Sequence, residues 1–433
     1  MIVISEHKEL TEKLAIKDAP LPERVFVPLS QHLGKPCNVI EVKVGDAVKT
    51  GQRLAVADAG IFAPVHASIS GRVESIAEYP HPLLGRAKAI AIERDVTLNE
   101  EAFPLKSESE VSVLNIEELR KIIQEAGIVG MGGAAFPAFV KLTPPKPVDS
   151  FILNGAECEP YLTADARLMI EEAEGILKGV EIIAKILNVK NVYVAIEDNK
   201  PEAVSVFKNA IRNTQYAIRI LKTKYPQGAE KQLIYSVLKR KVPSGKLPFD
   251  VGVVVHNVAT AFAIYEAIYK RKPLFERVLT VTGSILANPA NLRVRIGTPI
   301  AKLIEFCGPL KKEPNSSTPL TIGKIIMGGP MMGLAQFSQD VPVIKGTSGV
   351  LLLGEDEVAE SEEEACLRCG ECIKNCPMGL TPALISISAS YEKWDLAKTY
   401  GALDCIECGL CAYNCPANRN IVQAVKQAKT KIR

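Results

Sequence analysis

The sequence predicts a multidomain chain of α/β and β architecture. An all-β unit comes first, then an α/β unit, a small α+β unit and a helical C-terminal unit rich in cysteine. Three observations predict this order. The apolar period changes from two to 3.6 near residue 115. From about 150 to 270, strand-like and helix-like segments alternate, the pattern of a largely parallel sheet. And eight of the 11 cysteines fall between residues 366 and 415, in two copies of one spacing.

The chain has 433 residues, 47 % hydrophobic and 23 % charged, the balance of an ordinary globular protein. Its length allows roughly two to four domains. A net charge of +3 gives no electrostatic case for nucleic acid, and none is expected as a partner. No apolar run is long enough to span a bilayer, so no membrane-spanning segment is expected. The start, Met1 to Leu14, meets charges at once and has no apolar signal core.

Residues 1–24 read as an extended leader, broken by Pro20 and Pro22. Residues 25–100 alternate apolar and polar residues between glycine turns, sharpest at Val44–Gln52 and Ala63–Val73. This region resembles the biotinyl/lipoyl-type barrel-sandwich hybrid domain. The hairpin tip that carries a modified lysine in such domains falls here at Ala67-Ser68-Ile69-Ser70, without lysine. A docking or structural task is therefore expected of the barrel and the leader. His66, alone in a strand, reads as structural.

Residues 113–275 form the α/β unit. Helices are expected over 116–126, 165–187, 201–212, 229–240 and 259–270, and strands over 151–157, 191–198 and 217–223. Ligands of such sheets sit at the carboxyl ends of strands. Residues 276–353 read as two strands and a short helix around Asn288-Pro289. Residues 354–433 open with the acidic stretch Gly354–Glu364, a solvated helix start or linker.

The first cysteine run is Cys366-x2-Cys369-x2-Cys372-x3-Cys376-Pro377, and the second is Cys405-x2-Cys408-x2-Cys411-x3-Cys415-Pro416. This is the bacterial ferredoxin spacing, which holds [4Fe–4S] clusters with the fourth cysteine of each run crossing to the other cluster. Cys366, Cys369, Cys372 and Cys415 are expected to hold one cluster. Cys405, Cys408, Cys411 and Cys376 are expected to hold the other. Zinc would leave the third cysteine of each run unused, and disulfide frameworks suit short secreted chains. Iron-ligating thiolates need a reducing compartment, so a cytoplasmic location is expected. Cys37, Cys158 and Cys307 read as small buried or semi-buried residues.

Gly130, Gly132 and Gly133 bare the backbone amides of a loop between two helical segments, with Lys141 close behind as a countercharge. Such a loop lets phosphate approach the backbone. By itself it is equally a simple turn, and no strand precedes it as the common dinucleotide fingerprint requires.

In combination the motifs resemble the NADH-oxidising flavoprotein subunit of respiratory complex I. Val129–Pro137 is similar to its flavin loop, and Asn154-Gly155-Ala156-Glu157-Cys158-Glu159-Pro160 to its flavin-proximal strand end. Tyr225-Pro226-Gln227-Gly228-Ala229-Glu230 is similar to its Tyr-x-x-Gly-Glu-Glu segment, and His256–Thr260 to its Asn-Asn-Val-Glu-Thr. Gly297-Thr298-Pro299-Ile300 resembles the soluble-ligand-binding β-grasp (SLBB) domain. The chain departs from that family at Ala156, Ala229 and His256, which thin the polar contacts, and in carrying two cysteine runs.

The chain as a whole is closer to the C-subunit family of the Rnf electron-transport complex. Pro28–Gly34, Gly45–Gln52, the glycine loop, Asn154–Pro160, Gly328–Gly333 and the doubled cysteine run all match. The resemblance implies a barrel-sandwich domain, a Rossmann-like FMN/NADH domain, a β-grasp domain and a two-cluster ferredoxin-type domain. It implies a peripheral subunit on the cytoplasmic side of the inner membrane. That protein would work beside membrane subunits of an Rnf-type complex and a ferredoxin-like subunit, moving electrons between NADH and ferredoxin through FMN and two [4Fe–4S] clusters. Gly130, Gly132 and Gly133 would hold phosphate or ring edges, and Lys141 would face the flavin phosphate. Asn154, Glu157, Asn257 and Thr260 would bond the flavin ring or ribityl chain. Glu159 and Glu230 would accept from the nicotinamide nucleotide, Phe136 would stack on adenine, and Tyr225 and Gly228 belong to the same binding segment. The plainer reading of Glu157 and Glu159 is a capped strand end, and of Thr260 an exposed helix residue. Hydride transfer to flavin needs no general base, so no catalytic acid–base residue is expected. A microcompartment cobalamin reductase sharing these modules and a non-catalytic electron wire are the alternatives.

Overall fold

The structure, a computed structural model, describes residues 2–212, 214–313, 318–358 and 362–432. At its centre is a wholly parallel four-stranded sheet in the order Ala217–Leu221, Asn191–Glu197, Ser150–Gly155, Val253–Asn257. Phe151, Ile152, Leu153, Val194 and Ile196 are fully buried, the continuous apolar character of strands covered on both faces. The chain builds outward from Ser150–Gly155 and then returns to its other side with Val253–Asn257. That reversal creates a topological switch point at the carboxyl ends of these two strands, where open α/β sheets bind ligands. Asn154 and Asn257 are paired in register there.

Helix Ile116–Glu125 starts on a capping box, Asn115 accepting from the Glu118 amide while Glu118 accepts from the Asn115 amide. It buries Leu119 and Ile123 in the same core as helices Ala173–Leu187 and Val258–Lys270. The single helix expected over 165–187 is two, Ala164–Glu171 and Ala173–Leu187. Both glutamates at the break are drawn into contacts outside the helix. Glu171 accepts from the Ile16 amide at 3.1 Å, and Glu172 from Arg293 at 3.3 Å.

A mixed six-stranded sheet follows, in the order Ile16–Asp18, Ala290–Arg295, Glu276–Thr282, Gly349–Gly354, Ile322–Met327, Leu334–Ala335. Its first strand comes from the segment expected to be a leader, which corrects that expectation. Ile2 bridges Tyr225, Lys8 is buried beneath residues 157–162, and Ile16–Asp18 pairs in parallel with Ala290–Arg295. The N-terminal segment is a strap across two domains because its apolar and lysine side chains find buried partners there.

The barrel-sandwich unit joins the sheet Arg24–Pro28, Gly85–Arg94, Gly71–His81, Ala47–Val48 to the sheet Val39–Ile40, Arg53–Val56, Val65–His66. Val25, Val27, Leu54, Val65, Ile69, Ile90 and Ile92 fill its core. This unit also buttresses the glycine loop. The Leu33 amide donates to Ala135 O at 3.2 Å, and Lys345 of the neighbouring domain ties Pro64 O (2.6 Å) to Gly127 O (2.7 Å).

In the C-terminal unit, helices Pro382–Ser390, Trp394–Thr399 and Ile421–Ile432 pack around Ile385, Ala389, Ala397, Ile421 and Val425. The acidic stretch before it holds a 3-10 turn, Glu355–Glu357, while residues 359–361 lie outside the described residues. Among the described residues no helix is long and apolar enough to cross a membrane.

Candidate functional site: a glycine loop over a switch point, and two cysteine quartets

The glycine loop lies over the switch point. The Met131 amide donates to Thr260 Oγ1 at 2.9 Å, and a Cβ on Gly132 would sit 3.4 Å from Asn257 Cβ. Gly133 has φ +112°, open to glycine alone at low cost, and a Cβ there would meet nothing within 4 Å. The amides of Gly130, Met131 and Ala135 are used inside the protein. Those of 132–134 have no intramolecular partner among the described residues and lie on the exposed side of the loop. An exposed run of free amides beside paired asparagines suits the phosphate and polar edges of a mononucleotide such as FMN.

Asn154 donates to Gly228 O at 3.0 Å and accepts from the Ala156 amide at 3.0 Å, so it fixes the strand end to the 225–230 segment. A side chain on Gly228 would strike Ala156 O at 2.6 Å, so this close approach needs glycine. Lys141 and Glu230 bridge at 2.5 Å, both partly exposed. Phe136 is half-buried, and its carbonyl accepts from the Gly130 amide at 2.8 Å.

Several expected roles change. The Glu157 carboxylate accepts from the Asp165 and Ala166 amides at 2.9 and 3.1 Å. It caps helix Ala164–Glu171 and is not presented to a ligand. Glu159 accepts from the Met331 and Met332 amides at 2.6 and 3.0 Å and from Tyr225 Oη at 3.4 Å. It pins the Gly328–Gly333 loop, and burial is the first cause that raises its pKa. Tyr225 turns to the cysteine unit, its hydroxyl donating to Cys408 O at 2.7 Å. Thr260 is fully buried and braces the glycine loop, so it is neither an exposed helix residue nor placed to bond a ribityl chain. Lys141 is held by Glu230, a partner both lysine and glutamate assignments left out.

Sequence reasoning passed over two groups. Asp165 stands 2.5 Å from Asn257 Nδ2, its carboxyl pushed up to about 7 by burial first and by the Glu157 charge second. An acidic residue in a first helical turn is common, which hid it. Lys8 is buried and donates to Glu157 O (2.6 Å), Glu159 O (3.1 Å) and Leu162 O (2.5 Å).

None of the eight cysteines of the two runs is in a disulfide. The runs share a backbone device. Arg368 and Gly370 have φ 58° and 80°, and Glu407 and Gly409 have φ 57° and 82°. These left-handed residues curl each run so that its cysteines face one space. Burial raises the Cys372 thiol, with Cys366, Cys369 and Cys415 as charged neighbours that raise it further. Burial pushes Cys411 up to about 12, with Cys405, Cys408 and Cys376 around it. The fourth cysteine of each run thus sits with the other run's first three. Cys376, Cys405, Cys408 and Cys411 line one cleft. Among the described residues no three His, Cys, Asp or Glu side chains close on one point as ligands of a single ion would. Cysteines grouped in two crossed fours, one of them lining a cleft, suit the ligand sets of two cubane clusters.

Known proteins share this layout. The family model of the RnfC barrel-sandwich hybrid domain matches residues 2–97, and that of the Nuo51 FMN-binding domain matches 123–266. The SLBB domain matches 278–335, and a 4Fe-4S dicluster domain matches 359–416. The C subunit of the proton-translocating ferredoxin:NAD(+) oxidoreductase complex of Clostridium ljungdahlii is 49 % identical, covering 99 % of this chain and 92 % of that protein. The C subunit of the Na(+)-translocating complex of Acetobacterium woodii is 43 % identical over 98 % of this chain and 94 % of its own length. The C subunit of the ion-translocating oxidoreductase complex of Rhodobacter capsulatus is 42 % identical, over 98 % and 81 %. An NAD+-reducing [NiFe]-hydrogenase in the H2-reduced state shares the fold at TM-score 0.50 and 17 % identity, over 76 % of this chain and 65 % of that one.

Proposed function

The chain belongs to the C-subunit family of ion-translocating ferredoxin:NAD(+) oxidoreductase complexes, and from that membership we propose that it exchanges electrons between NADH and the two cysteine-bound clusters. The observation that carries this reading is the open glycine loop over the switch point, on the same chain as two crossed cysteine quartets. Bound FMN supplies the chemistry that joins a two-electron hydride donor to one-electron clusters.

The chain's own residues prepare that exchange. The free amides of 132–134 and Lys141 hold phosphate, and opening the Lys141–Glu230 bridge releases both side chains toward nucleotide. Asn154 and Asn257 present polar edges at the strand ends. Asp165, bonded to Asn257 and raised toward neutrality, can hold a proton at the site. Gly132 lets the loop lie close over Asn257, and Gly133 takes the positive φ of its turn. The cysteine thiolates hold two [4Fe–4S] clusters.

Within its complex the chain meets other subunits, among them a membrane-bound one and a ferredoxin-like carrier, at the cytoplasmic side of the inner membrane. The open loop favours this catalytic role over a wire with a vestigial nucleotide site. Anaerobic titration with NADH tests it. The flavin band should bleach and both clusters should become reduced. A flavin-loaded chain whose absorbance NADH leaves untouched would refute the reading.

A further inference from the structure

A carboxyl group lies one hydrogen bond behind the switch point. Asp165 Oδ2 accepts from Asn257 Nδ2 at 2.5 Å, and Asn257 Oδ1 accepts from the Ala259 amide at 2.8 Å. A backbone N–H can only donate, so these partners allow the Asn257 amide a single orientation. One of its N–H bonds is then left without a partner among the described residues. Asn154, in register on the adjacent strand, is held the same way. Its Oδ1 accepts from the Ala156 amide and its Nδ2 gives one hydrogen to Gly228 O, both at 3.0 Å. Two N–H donors therefore remain at the carboxyl ends of the strands. Donors favour a bound group that gains negative charge, whereas an ionised Asp165 behind one of them opposes that charge.

The surroundings leave Asp165 poised between its two forms. Burial comes first in raising its carboxyl to about 7, with the Glu157 charge second. The bond from Asn257, then Arg277 of strand Glu276–Thr282 and Lys200 ahead of helix Pro201–Ala210 act the other way. Neither cation pairs with it directly. Arg277 donates to Val278 O and Lys345 O at 3.2 and 2.7 Å, and Lys200 to Glu197 Oε2 and Asn199 Oδ1 at 2.7 and 2.9 Å. Lys8 is likewise committed to the carbonyls of 157–162. Asp165 is only partly covered, so water can deliver and remove a proton.

Resting on the proposed function, we infer that Asp165 is a redox-linked proton site, acting on the switch point through the Asn257 amide. NADH passes on a hydride, two electrons with one proton, and leaves as NAD+. The crevice gains one negative charge. Asp165 takes one proton from water as that charge arrives, its carboxylate becoming the neutral acid, and returns it when the electrons move on. The coupling is reciprocal: the charge that draws the proton to Asp165 is itself stabilised by it. Asp165 is a positioning residue, since it reaches the bound group only through Asn257.

The cluster-loaded chain with FMN bound tests this through the pH dependence of the flavin midpoint potential, followed anaerobically by spectroelectrochemistry. One additional proton per two electrons steepens the fall of the midpoint by about 30 mV per pH unit. Above about pH 7 the unmodified chain should show that steeper fall relative to Asp165→Asn. Asparagine keeps an acceptor for Asn257 but does not titrate. Equal slopes in the two chains overturn the inference. If Asp165→Asn holds no flavin, the unmodified chain decides alone. Grown with carbon-13 aspartate, it should show a protonated aspartate carboxyl band appearing in the infrared difference spectrum as the flavin is reduced above pH 7. A spectrum without that band overturns the inference as surely. A flavin that NADH cannot reduce brings down the proposed function and this inference with it, whereas a flavin that NADH reduces with equal slopes brings down the inference alone.

Discussion

Lys8→Met removes the ammonium that holds the 157–162 loop from below. Its three bonds, to Glu157 O, Glu159 O and Leu162 O, are 2.6, 3.1 and 2.5 Å long. Hydrogen bonds to a charged group contribute about 1.5–3 kcal/mol each. Burial opposes part of that, lowering the Lys8 pKa as its largest influence, with Glu157 pulling the other way. Methionine keeps the stem's volume and strands three buried carbonyls, a loss of about 3–5 kcal/mol of the kind seen when one partner of a buried charged contact is removed. Glu157 caps helix Ala164–Glu171 from this loop and Glu159 holds the Met331 amide, so the loss should appear as local opening. At about 1.4 kcal/mol per factor of ten, amide hydrogen exchange over 157–165 should accelerate about a hundredfold or more, with FMN held more weakly. Mass spectrometry of exchange on the cluster-loaded chain reads this directly. Unchanged exchange over 157–165 would refute the strap, and the N-terminal segment would be no more than a leader.

Gly132→Val places two methyls between the loop and Asn257, whose Cβ already lies 3.4 Å from an added Cβ; FMN retention and NADH-to-dye turnover should be lost with iron content unchanged, and full turnover in the loaded variant would end the loop's nucleotide role. Cys376→Ala should damage the cluster of the second run before that of the first, since Cys376 lines the cleft of Cys405, Cys408 and Cys411; spectroscopic loss confined to the first run's cluster would undo the crossing. Lys345 is pulled down to about 7 by burial, from the ordinary lysine value of 10.5. Between those pH values the unfolded chain binds more protons than the folded one, so stability rises with pH there and is level below about 7, with a slope of about 1 kcal/mol per pH unit. Lys345→Met should flatten the denaturation midpoint's rise between pH 7 and 9 relative to the unmodified chain, the clusters' own pH response being common to both; parallel curves would contradict it.

What can be read from the sequence is what is local in the chain. Three cluster ligands of each run lie within seven residues, and the crossed fourth follows from known two-cluster geometry. The glycine loop and the strand ends at Asn154 and Asn257 are legible for the same reason, each being a short segment, and the structure brings them together at the switch point. What fails is anything decided over distance. Glu157 and Glu159 read as ligand acceptors, but amides at 165, 166, 331 and 332 take their carboxylates. Lone lysines such as Lys8 and Lys345 carry no sequence signal, yet Lys8 holds three carbonyls of one distant loop and Lys345 joins carbonyls of two domains. The lack of a carrier lysine points the barrel to docking, while its Leu33 and Pro64 support the glycine loop. Helix periodicity runs unbroken through Glu171 and Glu172, and only their tertiary partners divide it.

One chain joins a hydride-accepting site to two clusters, and everything above depends on that joining. Anaerobic purification with quantified iron, sulfide and flavin, followed by NADH titration of the same sample, tests it most directly. About eight irons and eight sulfides per chain are expected, with one FMN, a bleached flavin band and two reduced clusters. Four irons, zinc in their place, or eight irons with no NADH-bleachable flavin would contradict it.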